Sequence, residues 1–345
     1  MIARNHAILA RLKEGAAVLV IRLRSLGDTV LTTPALTLLR QARPDLRIFV
    51  LLELPWDRLL EGNPDVAGVI PLEGPGQRWR TVAALRRCGA ELCLNLHGGS
   101  TSAWLTALSG ARWRAGFAHF GWRAVYNLKI PRAQEILGRA AGAVVHTAEH
   151  LASAMFYLGV RRGEIPAARL FAGPAPRPSP GCPYAVLHLG AAYHTKQWAT
   201  SRFLELSHWL RHDQGLEPVL VAGPGQSELL EPMREFACFG NLSVGEMMAL
   251  IAGAELFVGN DSGPAHVAAA FRVPCVVIFG SSDSRVWHPW KTRHQVVETA
   301  WDCKPCPGDR CYAYDRPHCI LSVEEEAVRQ AVVDVLAARP ALQHD

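Results

Sequence analysis

The chain has 345 residues, 49% hydrophobic and 19% charged, with a formal net charge of +5. This is the composition of a folded globular protein long enough for two domains, and it excludes a disordered or low-complexity chain. No apolar run approaches the ~18 residues of a membrane span. The first stretch, MIARNHAILARLKEGAAVLVIRL, has no adequate signal-peptide core or cleavage site, so a cytoplasmic protein with reduced thiols is expected.

Residues 16–23 (AAVLVIRL) read as a buried strand. The turn Arg24-Ser25-Leu26-Gly27-Asp28-Thr29 follows, then a helix over 30–41. Asp28 stands above the C-terminal end of the strand, where open α/β sheets bind ligands. A carboxylate there either caps the helix or acts as a base. Strands are expected at 46–52, 66–70 and 91–96, with helices at 79–87, 102–108 and 146–158. The strand at 91–96 ends in His97-Gly98-Gly99-Ser100, a simple turn or a ligand loop. Arg112-Trp113-Arg114 and Trp122-Arg123 interleave cations with rings. Such clusters either hold a phosphorylated, partly apolar molecule or are surface arginines packed on aromatic faces.

Charge divides the chain unevenly. Residues 1–172 carry 22 Lys+Arg and 12 Asp+Glu, and residues 173–345 carry 14 and 19. A basic half beside an acidic half points to an anionic partner for the first, although scattered solvated arginines give the same count. The Pro-rich stretch AGPAPRPSPGCP supplies a linker at 173–183, between a first domain at 1–172 and a second at 184–322.

The second series opens with a strand at 184–189, a loop through Lys196-Gln197-Trp198, and a helix at 200–212. A strand at 217–222 and helices at 228–236 and 244–252 lead to ELFVGNDSGPAHVAAAFRVPCVVIFG at 255–280. That stretch reads as strand, loop, helix, strand. Asp261 or Ser262 is placed to cap the helix, with Pro264 in its first turn. Gly259 and Gly263 let a ligand approach the backbone. Free N–H groups at the helix start favour phosphate, and His266 lies beside them. An ordinary capped helix shows the same pattern. Neither half has a G-x-G-x-x-G turn after its first strand, which argues against a nicotinamide dehydrogenase.

Cys303, Cys306, Cys311 and Cys319 have the spacing C-x2-C-x4-C-x7-C. The loop 303–319 is either a structural zinc or iron site, with His318 as a substitute ligand, or a Pro/Cys-rich loop of unligated thiols. A closing helix within 323–345 is available to pack back on the first domain.

RLRSLGDTVLTTPAL, the K-Q-W after the first strand of the second half, AGPGQSE and VGNDSGPAHVAAAFRVPCVVIFGSSD occur in order. Together they resemble the glycosyltransferase family 9 heptosyltransferases over nearly the full chain. Asp-Ser-Gly-Pro-Ala-His at the helix start is similar to the heptosyltransferase II-like branch. The resemblance implies an α/β GT-B fold, two Rossmann-like domains facing each other across a cleft. It implies an inverting transfer of heptose from ADP-heptose to a phosphorylated, lipid-linked inner-core saccharide of lipopolysaccharide. Asp28 then matches the general base, Lys196 the lysine at the donor phosphates, and Asp261 the aspartate on the donor sugar. Ser262, Gly263 and His266 match the phosphate-proximal helix start. Arg24, Arg112 and Arg114 are the acceptor-side cations. Such a design needs no catalytic cofactor, has no nucleic-acid partner, and works in the cytoplasm with weak attachment to an anionic inner-membrane surface. A nucleotide-sugar epimerase or a non-catalytic nucleotide-sugar binder on the same frame are the alternatives.

Overall fold

The computed structural model describes residues 8–173 and 180–337. Most of the expected linker, at 174–179, and the last part of the closing segment, at 338–345, lie outside the described residues. The chain divides into two compact units, Met1–Phe171 and Ala172–Asp345.

The first unit is a parallel sheet of β1 (Ala17–Ile21), β2 (Arg47–Glu53), β3 (Gly68–Leu72), β4 (Ala90–Asn95), β5 (Trp113–Phe117) and β6 (Leu128–Ile130), in the order β3-β2-β1-β4-β5-β6. Its longer helices are α1 (Leu26–Ala42), α2 (Arg78–Arg87), α3 (Ser100–Leu108) and α4 (Thr147–Leu158). The central strand AVLVI is buried along its whole length, as a parallel strand covered on both faces must be. Connections from β3 to β6 all step the same way across the sheet. Right-handed crossover therefore puts α2, α3 and the β5–β6 connection on one face. Leu85 of α2 and Leu105 of α3 share one core with Leu19, Ile21 and Cys93. The β1–β2 connection steps the other way, so α1 covers the opposite face, where α4 packs on it. Strand order reverses between β1 and β4, which makes their C-terminal ends the expected ligand edge.

The second unit repeats this order. Its strands β7 (Tyr184–His188), β8 (Glu217–Val221), β9 (Ala237–Phe239), β10 (Leu256–Asn260), β11 (Cys275–Phe279) and β12 (His294–Glu298) run β12-β11-β10-β7-β8-β9. The longer helices are α5 (Thr200–Asp213), α6 (Val244–Ala252), α7 (Gly263–Ala270) and α8 (Glu325–Ala337). The expected helix at 228–236 is a 3-10 segment, Ser227–Met233, with Pro232 inside it. Order reverses between β7 and β10. The described residues of helix α8 pack on β11, β12 and α5 of their own unit. Val328, Val332 and Val335 lie in that core.

Candidate active site

In the first unit the reversal point is built by the residues that follow β1. Ser25 is the N-cap of α1 and Asp28 its third residue, joined in a capping box. Asp28 Oδ2 accepts the Ser25 N–H at 3.0 Å and the Ser25 hydroxyl at 3.2 Å. Its Oδ1 is ion-paired with the Arg22 guanidinium, which also donates to the Leu96 carbonyl at the end of β4. Asp28 is thus a cap and half of an ion pair at once. Arg22 was absent from the sequence reading. Its signal was present: a cation directly after an otherwise apolar central strand.

His97 lies near both members of this pair and His150 near Arg22. The His97 imidazole is held below its ordinary pKa, chiefly by burial, with Arg22 adding to the effect and a hydrogen bond to the Arg24 main chain opposing it. His150 stacks on Phe117 at 4.1 Å between centroids. Burial pushes its pKa down to about 4, with His119 and Arg22 adding repulsion. The turn after β4 comes close to the β5–β6 connection: Gly98 has φ +81°, and a Cβ there would overlap the Phe120 ring. Arg24 is exposed beside Ser25.

Arg112 and Arg114 stand apart from Asp28. They flank Trp113, the first residue of β5, at the N-terminal edge of a parallel sheet whose C-terminal edge carries Asp28. The Arg114 guanidinium bonds the Val125 and Ala111 carbonyls at 3.0 and 3.2 Å, tying down the β5–β6 connection. Arg112 lies over the Trp113 ring at 5.2 Å.

In the second unit β10 delivers Asn260 and Asp261 to the start of α7. Asn260 is a brace: it accepts the Trp198 N–H at 3.0 Å and donates to the Leu189 carbonyl at 2.8 Å. These bonds hold the Lys196 loop against β10. Lys196 Nζ then reaches Asp261 Oδ2 at 2.9 Å. Two residues that the resemblance gave separate tasks are therefore partners. Ser262 is the N-cap of α7, Gly263 its first residue, and His266 is buried one turn in. The Ser262 hydroxyl lies 3.3 Å from His188 Nδ1. Burial pushes His188 down to about 4, so it is neutral at physiological pH. A Cβ on Gly280 would collide with the Thr195 carbonyl, so glycine there lets the loop after β11 close on the Lys196 loop.

The four clustered cysteines line one cavity of about 150 Å³ with Thr195, Ser281 and Lys304. They are free thiols. Among the described residues, no three His, Cys, Asp or Glu side chains are arranged to hold a metal ion. The expected zinc or iron ligand set is therefore not formed by these thiols as they stand. What the loop does is buttress: the Thr195 hydroxyl donates to the Gly308 carbonyl, and Cys306 N–H bonds the Ser281 carbonyl at 3.0 Å.

The family model for glycosyltransferase family 9 (heptosyltransferase) matches residues 78–314. Lipopolysaccharide heptosyltransferase 3 of Escherichia coli is 26% identical over 347 residues, covering 90% of this chain and 96% of its own. A glycosyltransferase family 9 structure from Veillonella parvula superposes with a TM-score of 0.77 at 21% identity, covering 94% of this chain and 98% of that one. The E. coli ADP-heptose LPS heptosyltransferase II structure superposes with a TM-score of 0.74 at 20% identity, covering 93% and 98%. The fold is GT-B, with two Rossmann-like α/β units. A carboxylate and a cation meet at the reversal point of each sheet, and the family match spans most of both units: the chain is a glycosyltransferase and belongs to glycosyltransferase family 9, the heptosyltransferases.

Proposed function

We propose that the protein moves heptose from ADP-heptose to a sugar hydroxyl of a phosphorylated, lipid-linked inner-core saccharide in lipopolysaccharide assembly, with inversion at the anomeric carbon. The observation that carries this reading is the pairing of a carboxylate with a cation at each reversal point, Asp28 with Arg22 and Asp261 with Lys196. The donor comes from the named specificity of the E. coli relative with the same fold, and the lipopolysaccharide setting from the heptosyltransferase 3 similarity.

Asp28 accepts the acceptor proton as the new C–O bond forms and the bond to the diphosphate breaks. Both its oxygens are engaged, so the acceptor hydroxyl exchanges with one of the Ser25 bonds while Arg22 keeps the carboxylate in place. On the donor side an ammonium has three donors, and Asp261 takes one from Lys196. The other two, with the N–H groups opening α7, meet the departing diphosphate charge. Asp261 retains acceptor capacity for sugar hydroxyls. Arg24, exposed beside Ser25, meets an anionic group of the acceptor. Among the described residues no helix is long and apolar enough to cross a membrane, and the basic first unit suits weak, reversible attachment to the anionic inner-membrane surface from the cytoplasm.

The test is incubation with ADP-heptose, with and without a truncated lipopolysaccharide core, following ADP release and the product mass. ADP release that requires the core, with a product heavier by one heptose, supports the reading. Release independent of the core, or none with any core, refutes it.

A further inference from the structure

Of the ten tryptophans, three are exposed, and all three belong to the first unit: Trp79 at 66%, Trp104 at 61% and Trp122 at 47%. Trp79 is the second residue of α2 and Trp104 the fifth of α3. Trp122 opens the 3-10 turn Arg123–Val125 of the β5–β6 connection. Helix α2 packs on α3, and α3 packs on that turn. By the crossover argument above these are neighbouring parts of one face of the sheet. Leu108 of α3 is exposed on the same layer.

A single exposed apolar side chain is ordinary. Three indoles on adjoining elements are a different matter, because the core beneath is filled by Leu85, Leu105 and their neighbours and has no use for them. The charge of this layer is equally biased. Residues 73–135, which contain all three indoles, hold nine Lys+Arg and three acidic residues, Glu73, Glu91 and Glu135, of which Glu73 lies 3.9 Å from Arg80. Arg78 and Arg80 flank Trp79, and Arg123 follows Trp122. The Arg80 guanidinium lies 5.4 Å from the Trp79 ring centroid, so cation and ring are presented together. Indole rings partition into the headgroup region of a bilayer, and nearby cations are drawn to anionic lipid.

We propose that this flank docks on an anionic phospholipid bilayer, with Trp79, Trp104 and Trp122 entering the headgroup region and the arginines meeting lipid phosphates. The proposal deepens the heptosyltransferase reading, on which it rests for its purpose, since an acceptor anchored in a membrane is reached from the membrane surface. Its test needs no acceptor.

The full chain is mixed with vesicles of phosphatidylglycerol and phosphatidylethanolamine that contain no saccharide, and binding is read by co-sedimentation. The parent should bind. The triple variant Trp79→Ala, Trp104→Ala, Trp122→Ala should bind at least about tenfold more weakly, with unchanged far-UV circular dichroism and Tm because the side chains are exposed. Its transfer of heptose to a deacylated, soluble acceptor should equal the parent's. Arg78→Gln with Arg123→Gln should weaken binding at low salt and converge with the parent at high salt. Parent-like vesicle binding by the triple variant overturns the proposal, as does a parent that does not bind. So does a parent that dimerises through this face, shown by a triple variant that turns monomeric while vesicle affinity stays the same. Indole-dependent vesicle binding by a protein that transfers no heptose leaves the docking surface standing and removes the functional reading alone.

Discussion

Asp28→Asn separates the two tasks of that carboxylate. The amide keeps an oxygen for the Ser25 N–H but loses the charge opposite Arg22. Weakening an N-terminal cap costs about 1 kcal/mol. Stripping one partner from a buried ion pair costs ~3–5 kcal/mol. Here the Arg22 and Asp28 side chains are 12% and 21% exposed, and Arg22 keeps the Leu96 carbonyl. Solvent screening therefore brings the loss toward about 2 kcal/mol. Against a typical domain stability of ~5–15 kcal/mol the variant remains folded at 25 °C. Loss of a general base lowers turnover by ~10²–10⁴-fold, a barrier increase of ~3–5 kcal/mol. The assay is kcat at saturating ADP-heptose and acceptor, at a temperature where circular dichroism shows both proteins folded, with ADP affinity measured by calorimetry. The expected result is a collapse of kcat with ADP affinity unchanged. Arg22→Met provides the control: it costs similar stability, retains the carboxylate, and should retain far more turnover. If Asp28→Asn keeps kcat within about tenfold of the parent, the carboxylate is a cap and nothing more.

Four further outcomes are expected. Lys196→Ala should weaken ADP binding by about tenfold or more, and its stability effect should be non-additive with Asp261→Ala by about 1 kcal/mol; strict additivity in a thermal-unfolding cycle would deny the ion pair. Arg114→Ala should lower stability by about 1–3 kcal/mol through its lost carbonyl bonds while leaving the acceptor KM alone; a raised KM at unchanged Tm would return Arg114 to the acceptor. His188 has a folded pKa of about 4, below the ~6.5 of an unfolded chain. The unfolded state therefore takes up a proton that the folded state refuses, so the stability tied to this residue is intact above ~6.5 and drains as pH falls toward 4, at about 1.4 kcal/mol per pH unit. Denaturant titrations of His188→Gln should show a slope shallower by that amount, and equal slopes would contradict the buried, neutral assignment. Finally, prolonged chelation under reducing conditions should leave Tm unchanged; a loss of several degrees, restored by zinc or iron, would reinstate a metal at Cys303, Cys306, Cys311 and Cys319.

Family and core were legible in the amino-acid order because both are carried by local runs. AVLVI of β1 and CVVIF of β11 are apolar throughout, as strands covered on both faces must be, and the motifs around Asp28 and Asp261 sit directly after central strands. The expected strands all proved to be strands. Those that went unseen, β5, β6, β9 and β12, lie toward or at the margins of the sheets. There the chain is short or partly solvated, as in LKI and HQVVE, and no buried pattern is needed. The start of WRAGF, which the sequence leaves open between an anion-binding cluster and surface arginines packed on rings, lies at the edge remote from Asp28.

Tertiary structure decided the partnerships. Lys196 and Asp261 are 65 positions apart, and only the adjacency of β7 and β10 brings them together. Arg22 meets Leu96 because β4 lies beside β1. No local spacing encodes either contact, since strand order is set by how whole crossovers pack on the sheet. The cysteines show the same limit from the other side. Their spacing guarantees that the four thiols are close along the chain, but the direction of each Sγ depends on the backbone between them. Here that backbone is tied by Thr195, Ser281 and Gly308 to the Lys196 loop.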